Sequence, residues 1–168
     1  PIDCDVHPTC PSLKALLPHM DDMWREMVER RGIDDLTTTS YPATNPLSFR
    51  QDWRDASGRT ATTPGVLARQ GLEPFGTGTA ILNRLYGAQA VFSEDMAAAF
   101  CRALNRWIAR EWLDVDGRMR ASIVVPMLNA EMAVEEIDHW AGDHRFVQVL
   151  LLTNGEVPLG RRQMWPIY

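Results

Sequence analysis

Four short apolar runs alternate along the chain with amphipathic helical patterns, the runs are near-continuous in Val, Ile, Leu and Ala, and the last leads into a helix that has barely begun. These observations predict an α/β fold: four β/α units forming the N-terminal half of a TIM-type β/α barrel, with a long irregular loop after the first strand. Apolar strands separated by amphipathic helices indicate a parallel sheet covered on both faces, because each crossover helix lays its apolar stripe on the strands it joins. Four such units also suit a small doubly wound sheet, and the end of the chain decides between the two. Residues 154–168 read as a loop opening a helix, whereas a complete open sheet finishes the helix that covers its last strands. Residues 1–168 are therefore expected to be the first half of a single domain.

Each element has its own warrant. Ile2 to Val6 reads as a buried strand, and Ser12 to Arg31 carries a helical pattern through Leu13, Leu16, Leu17, Met20, Met23, Trp24 and Met27, broken or kinked at Pro18 and ended by Gly32. Residues 34–64 are rich in Thr, Ser, Pro and Asp without a sustained period. Tyr41, Phe49 and Trp53 stand out among them, and a loop of this length with aromatic content reads as an active-site cover. Val66 to Leu72 is a short helix and Thr79 to Asn83 a strand. Ser93 to Leu113 is a long helix with Met96, Phe100, Leu104, Trp107, Ile108 and Trp112 on one face; Ser93 is its N-cap, with Glu94 and Asp95 suiting the first turn. Ala121 to Pro126 is a strand, Asn129 caps a helix whose inner face holds Ala133, Val134, Ile137 and Ala141, and Phe146 to Thr153 is the fourth strand.

Composition narrows the function classes. Lys and Arg total 17 against 22 Asp and Glu, and a net charge of -5 gives no basic footprint for nucleic acid or an anionic membrane. A small molecule or another protein is the expected partner. The three cysteines, Cys4, Cys10 and Cys101, fit neither a zinc spacing nor a secreted disulfide framework, so a cytoplasmic setting is expected. No apolar run approaches the roughly 20 residues of a membrane-spanning helix, and the N-terminus does not read as a signal peptide.

The chemistry is concentrated in the opening Pro1-Ile2-Asp3-Cys4-Asp5-Val6-His7-Pro8. Residues two apart on a strand point to the same side, so Asp5 and His7 face one point with a carboxylate and an imidazole, half of a metal site. The bland alternative is a structural pair at a strand end. Asp3 shares the face but sits deeper and reads as a buried hydrogen-bonding group, Cys4 points the other way and reads as core filling, and Cys10 near the site mouth has no activating neighbour. His19, His139 and His144 read as solvated surface residues, and the Trp and Met residues at helical spacing as core.

The start I-D-C-D-V-H-P, the segment L-N-R-L-Y-G, the helix A-A-A-F-C-R-A-L-N-R-W-I, the strand R-M-R-A-S-I-V-V-P-M and the stretch R-F-V-Q-V-L-L-L-T together resemble the amidohydrolase-related family. That family includes aminocarboxymuconate semialdehyde decarboxylase and the γ-resorcylate-type decarboxylases, metal-dependent β/α-barrel enzymes. The resemblance implies that Asp5 and His7 stand where its first strand carries His-x-His, Glu-x-His or Asp-x-His and binds a divalent cation. It implies further ligands, histidines and an aspartate, on strands five, six and eight, beyond Tyr168. The cofactor expected is one divalent metal ion, zinc first and manganese as the alternative. Such a cation acidifies water for hydrolysis, or polarises a substrate oxygen and permits non-oxidative decarboxylation.

Barrel active sites are built from loops at the carboxyl ends of the strands. This names Asn83, Arg84 and Tyr86 after the second strand, Met127 after the third, Asn154 and Glu156 after the fourth, and Phe49, Arg50 and Trp53 in the long loop, as contacts for a small carboxylated substrate, aromatic ones included. An arginine pairs with a carboxylate and an aromatic stacks on a ring; the competing readings are surface salt bridges for Arg50 and Arg84 and loop anchoring for Trp53. Two functions follow. One is a metal-dependent hydrolase or decarboxylase, forming a homo-oligomer and completed by the remainder of the barrel or a second chain. The other is a non-catalytic half-barrel, a binding or assembly module or proteolytic fragment, with open edges that require a partner.

Overall fold

The computed structural model describes residues 1–9, 12–36, 50–153, 155 and 157–168. Cys10, Tyr41, Phe49, Asn154, Glu156 and residues 37–49 of the proposed cover loop lie outside the described residues.

Strands β1 (Ile2–Val6), β2 (Thr79–Leu82), β3 (Met119–Val124) and β4 (Phe146–Leu150) form one parallel sheet in the order β1-β2-β3-β4. Each crossover steps to the next position in the same direction. A doubly wound sheet reverses at a switch point, and this one does not, so the right-handed crossover rule places the helices on one face and leaves the other as an inner wall. That is the arrangement of consecutive β/α units in a barrel, and it corrects the expectation of helices on both faces.

The helices follow from local sequence. Leu13–Ala15 and Leu17–His19 are two 3-10 turns, and helix α1 begins only at Asp22, running to Arg31. Pro18 falls in the second turn, so the expected continuous helix is divided there. Gly32, at φ 60°, closes α1 in the left-handed conformation. Helix α2 (Pro64–Leu67) is capped by the Thr63 hydroxyl, which accepts from Val66 N, and continues as a π turn to Leu72. Helix α3 (Glu94–Ile108) is capped by Ser93 and extends through a π turn to Leu113; α4 (Ala130–Trp140) is capped by Asn129. A final 3-10 segment, Arg162–Ile167, buries Met164.

The core is built from Leu13, Leu16, Leu72, Leu82, Phe100, Leu104, Ile108, Trp112 and Met119, all fully buried. A polar cluster crosses it. Asn105 donates to Val124 O (2.8 Å) and to Glu136 Oε1 (2.8 Å) and accepts from Val124 N (2.9 Å), tying α3 to the end of β3 and to α4. Buried Glu136 also accepts from Trp140 Nε1 (2.8 Å) and Arg102 Nε (3.3 Å). Burial, with Glu136 nearby, pushes the Cys101 thiol well above its ordinary range and leaves it an inert packing group. Gln89, in a 3-10 turn after β2, donates to Val125 O (3.1 Å) and Leu150 O (2.7 Å) at the ends of β3 and β4.

Several expected burials are overturned for one reason: β1 and β4 are the sheet edges. Ile2, Asp3, Cys4 and Asp5 are exposed, so β1 is not a buried strand and Cys4 is not core filling. Val147 and Gln148 are exposed on β4. Ala141 is exposed at the end of α4 rather than on its inner face, and His19, expected in solvent, is buried, with its Nε2 4.0 Å from Glu111. Two sheet edges unpaired among the described residues, with exposed Ile2, Val147, Trp165 and Tyr168, lead us to expect that residues 1–168, prepared alone, self-associate. Light scattering is expected to show dimers or larger assemblies; a monodisperse monomer would count against the half-barrel reading of the edges.

Candidate metal centre

The register between β1 and β2 shifts between Asp3 and Val6, a bulge that falls on Cys4 and Asp5. Bulges re-aim side chains, and here the Asp5 carboxylate meets the ring of His7, just past the strand end: Asp5 Oδ1 lies 3.3 Å from His7 Nε2. His7 Nδ1 lies 2.9 Å from the main-chain carbonyl of Asn83. A carbonyl only accepts, so Nδ1 carries a proton and Nε2 is the ring nitrogen turned toward Asp5. A carboxylate and a ring nitrogen that ligates metals in its neutral form thus face each other.

The separation of the pair is compatible with a shared cation. A charge-assisted N–H to carboxylate bond runs about 2.7–2.9 Å. Two ligands of one ion, each about 2.0–2.2 Å from it at an angle of roughly 90–109°, sit about 2.8–3.6 Å apart. The observed 3.3 Å fits the second geometry, so this donor pair suits a divalent ion. Among the described residues no cluster of three or more His, Cys, Asp and Glu side chains surrounds such a point.

A row of polar side chains, one from each strand or its end, backs the pair. Asn83 Nδ2 donates to Asp5 Oδ1 (2.8 Å) and Cys4 O (3.2 Å); Asn83 Oδ1 accepts from Ser122 Oγ (2.5 Å) and, at 3.4 Å, from Gln148 Nε2, which also donates to Ser122 Oγ (2.9 Å). Ser122 and Gln148 are partners in the β3–β4 register. Sequence reasoning missed both, although each is a lone polar residue inside an apolar run. Asp3, expected to be a buried hydrogen-bonding group, is exposed and accepts from Asp5 N (3.2 Å).

A cavity of about 360 Å³ opens beside the pair, with Asp5, His7, Arg50, Trp53, Phe75 and Thr77 in its lining. Trp53 and Phe75 meet edge to face, with ring centroids 6.4 Å apart. The Arg50 guanidinium lies 5.2 Å from the Trp53 ring centre and grips Asp52 with two bonds, Nε–Oδ1 3.0 Å and Nη2–Oδ2 2.6 Å, holding the Asp52 carboxyl below the usual carboxylate range. Of the residues expected to touch substrate, Arg50 and Trp53 thus share a cavity with Asp5 and His7. Asn83 touches both of the latter from behind. Arg84 and Tyr86 are placed otherwise: both are buried, Arg84 lies 4.6 Å from the Tyr86 ring centre, and the Tyr86 hydroxyl donates to Asp35. Met127 is buried in the core.

No curated protein matches the chain. Among solved structures it is similar to a 5-carboxyvanillate decarboxylase from Novosphingobium aromaticivorans, crystallised with manganese and 3-methoxy-4-hydroxy-5-nitrobenzoic acid. The two share 19% identity at a TM-score of 0.60, over 99% of this chain and 46% of that one, so this chain spans about half the length of that enzyme and the likeness is one of fold. The amidohydrolase family profile matches residues 2–168, essentially every position, and the chain therefore belongs to the amidohydrolase family.

Proposed function

We propose that Asp5 and His7 are the first two protein ligands of a divalent metal ion in a metal-dependent enzyme of the amidohydrolase superfamily, a hydrolase or non-oxidative decarboxylase of small carboxylated substrates. The observation that carries this is the 3.3 Å approach of the Asp5 carboxylate to His7 Nε2 at the end of β1. The remaining coordination positions fall to water, substrate and groups outside the described residues, supplied by the rest of a barrel or a second chain. A mixed carboxylate and imidazole pair suits zinc or manganese. Bound there, such an ion supplies a Lewis acid for a substrate oxygen or for water.

The chain's own residues shape the rest of the site. Trp53 and Phe75 offer an aromatic wall, and Arg50 a guanidinium that a substrate carboxylate engages in competition with Asp52. A ring acid therefore suits the cavity. The solved decarboxylase, with its manganese and nitrobenzoic acid ligand, supports this reading by analogy of fold.

Metal content and substrate class are tested together. The full-length protein is titrated with Mn²⁺ or Zn²⁺ and then assayed for carbon dioxide release from a panel of carboxylated aromatics, beside hydrolysis of amides and lactones. One ion per site with turnover in either panel is expected, and the panel that responds names the reaction. A folded protein that binds neither metal and turns over neither panel would instead indicate a binding or assembly module.

A further inference from the structure

We propose that Asn83 is the positioning residue of the metal centre, holding both ligands at once, and that Ser122 and Gln148 lock it in place. This rests on the metal-site reading above and assigns to Asn83 a role distinct from ligation or substrate contact. Asn83 follows the last residue of β2 and is 6% exposed. Its main-chain carbonyl accepts a hydrogen bond from His7 Nδ1–H, which leaves Nε2 as the nitrogen turned to the ion. Its side-chain amide donates to Asp5 Oδ1 at 2.8 Å. The Asp5 side chain is 74% exposed, on a sheet edge, and without such a donor its carboxylate would sample several rotamers. One residue thus prepares the two groups that approach within 3.3 Å.

The amide has only one workable orientation. In the observed one, both amide hydrogens meet acceptors, Asp5 Oδ1 and Cys4 O, and the oxygen meets two donors, Ser122 Oγ and Gln148 Nε2. Turning the amide over sets its oxygen against the Asp5 carboxylate and its NH₂ against the NH₂ of Gln148. The row across the four strands is therefore a device with a direction: Gln148 and Ser122 point the Asn83 oxygen one way, which points its donor toward Asp5. A purely structural network would satisfy the same buried groups without any consequence for the ion.

The test is the affinity for Mn²⁺ alone, measured by calorimetry and by electron paramagnetic resonance on the full-length protein. Asn83→Leu keeps the γ-branched shape and the main-chain carbonyl but removes the donor. It is expected to bind Mn²⁺ about 10–100-fold more weakly, the usual cost of losing an outer-sphere partner, while circular dichroism shows a native fold. Ser122→Ala, which frees the amide to turn, is expected to lose affinity by a smaller factor. Nitrogen NMR of His7 in the metal-free wild type needs no variant and is expected to show the Nδ1–H tautomer. Wild-type Mn²⁺ affinity in folded Asn83→Leu, or an Nε2–H tautomer, would overturn the proposal. Should Asn83→Leu not fold, Ser122→Ala and the tautomer decide. Asp5→Ala separates the two levels: if it too binds Mn²⁺ normally, the metal-site reading itself has failed; if it does not, a normal Asn83→Leu rejects positioning alone.

Discussion

Asp5→Ala and His7→Ala are each expected to abolish stoichiometric binding of Mn²⁺ or Zn²⁺ while leaving the fold intact. Both side chains are well exposed, Asp5 on an unpaired strand edge and His7 just past its end, and substitutions at such positions usually move stability by no more than about 0.5 kcal/mol. The metal consequence is of another order. Removing either group leaves a single described donor, and the loss should exceed the roughly 10–100-fold cost of an outer-sphere change. Elemental analysis of purified wild type and variants, beside thermal unfolding curves, checks both halves. Unchanged metal content in both variants would remove the pair from the site. Lost metal with a collapsed unfolding midpoint would show that the residues hold the strand rather than the ion.

Asn105→Leu is expected to destabilise the protein by about 3–6 kcal/mol. The substitution keeps the γ-branched shape and leaves three groups short of a partner: the N–H and C=O of Val124 and the carboxylate of Glu136. Each buried group left unsatisfied costs about 1–3 kcal/mol, and the three are close enough to fall short of additivity. Fully buried Asn105 is inaccessible to rescuing water. Urea unfolding followed by tryptophan fluorescence reads the change, and a midpoint like that of the wild type would show that the Asn105 bonds contribute nothing net.

The elements and their order were readable because they rest on local signals. Ser93, Asn129 and Gly32 mark helix ends through groups within a few residues, and the alternation of Asp5 and His7 needs only a strand. What failed depends on distant partners. Asp3 and Cys4 were expected inside because an apolar strand is usually flanked on both sides; at a sheet edge the same alternation leaves them in solvent. His19 was placed on the surface by a helical period that the 3-10 turns do not follow. Asn83 was picked out for its place at a strand end, but its role lies in bonds to residues 76 and 78 positions away. The trace that sequence does hold is modest: a polar residue in or just after each strand, Asp5, Asn83, Ser122 and Gln148, which only the register turns into a row.

The Gln89 bridge bears on how such a protein can be re-engineered. Its amide reaches from the β2–α3 connection to the terminal carbonyls of two other strands, so the rim of the sheet is fastened by a side chain belonging to neither strand it holds. Loop exchange, the usual route to new specificity on this scaffold, treats each connection as an independent insert. Here a graft replacing the β2–α3 connection would also unfasten β3 from β4 unless it carried a glutamine at the same height.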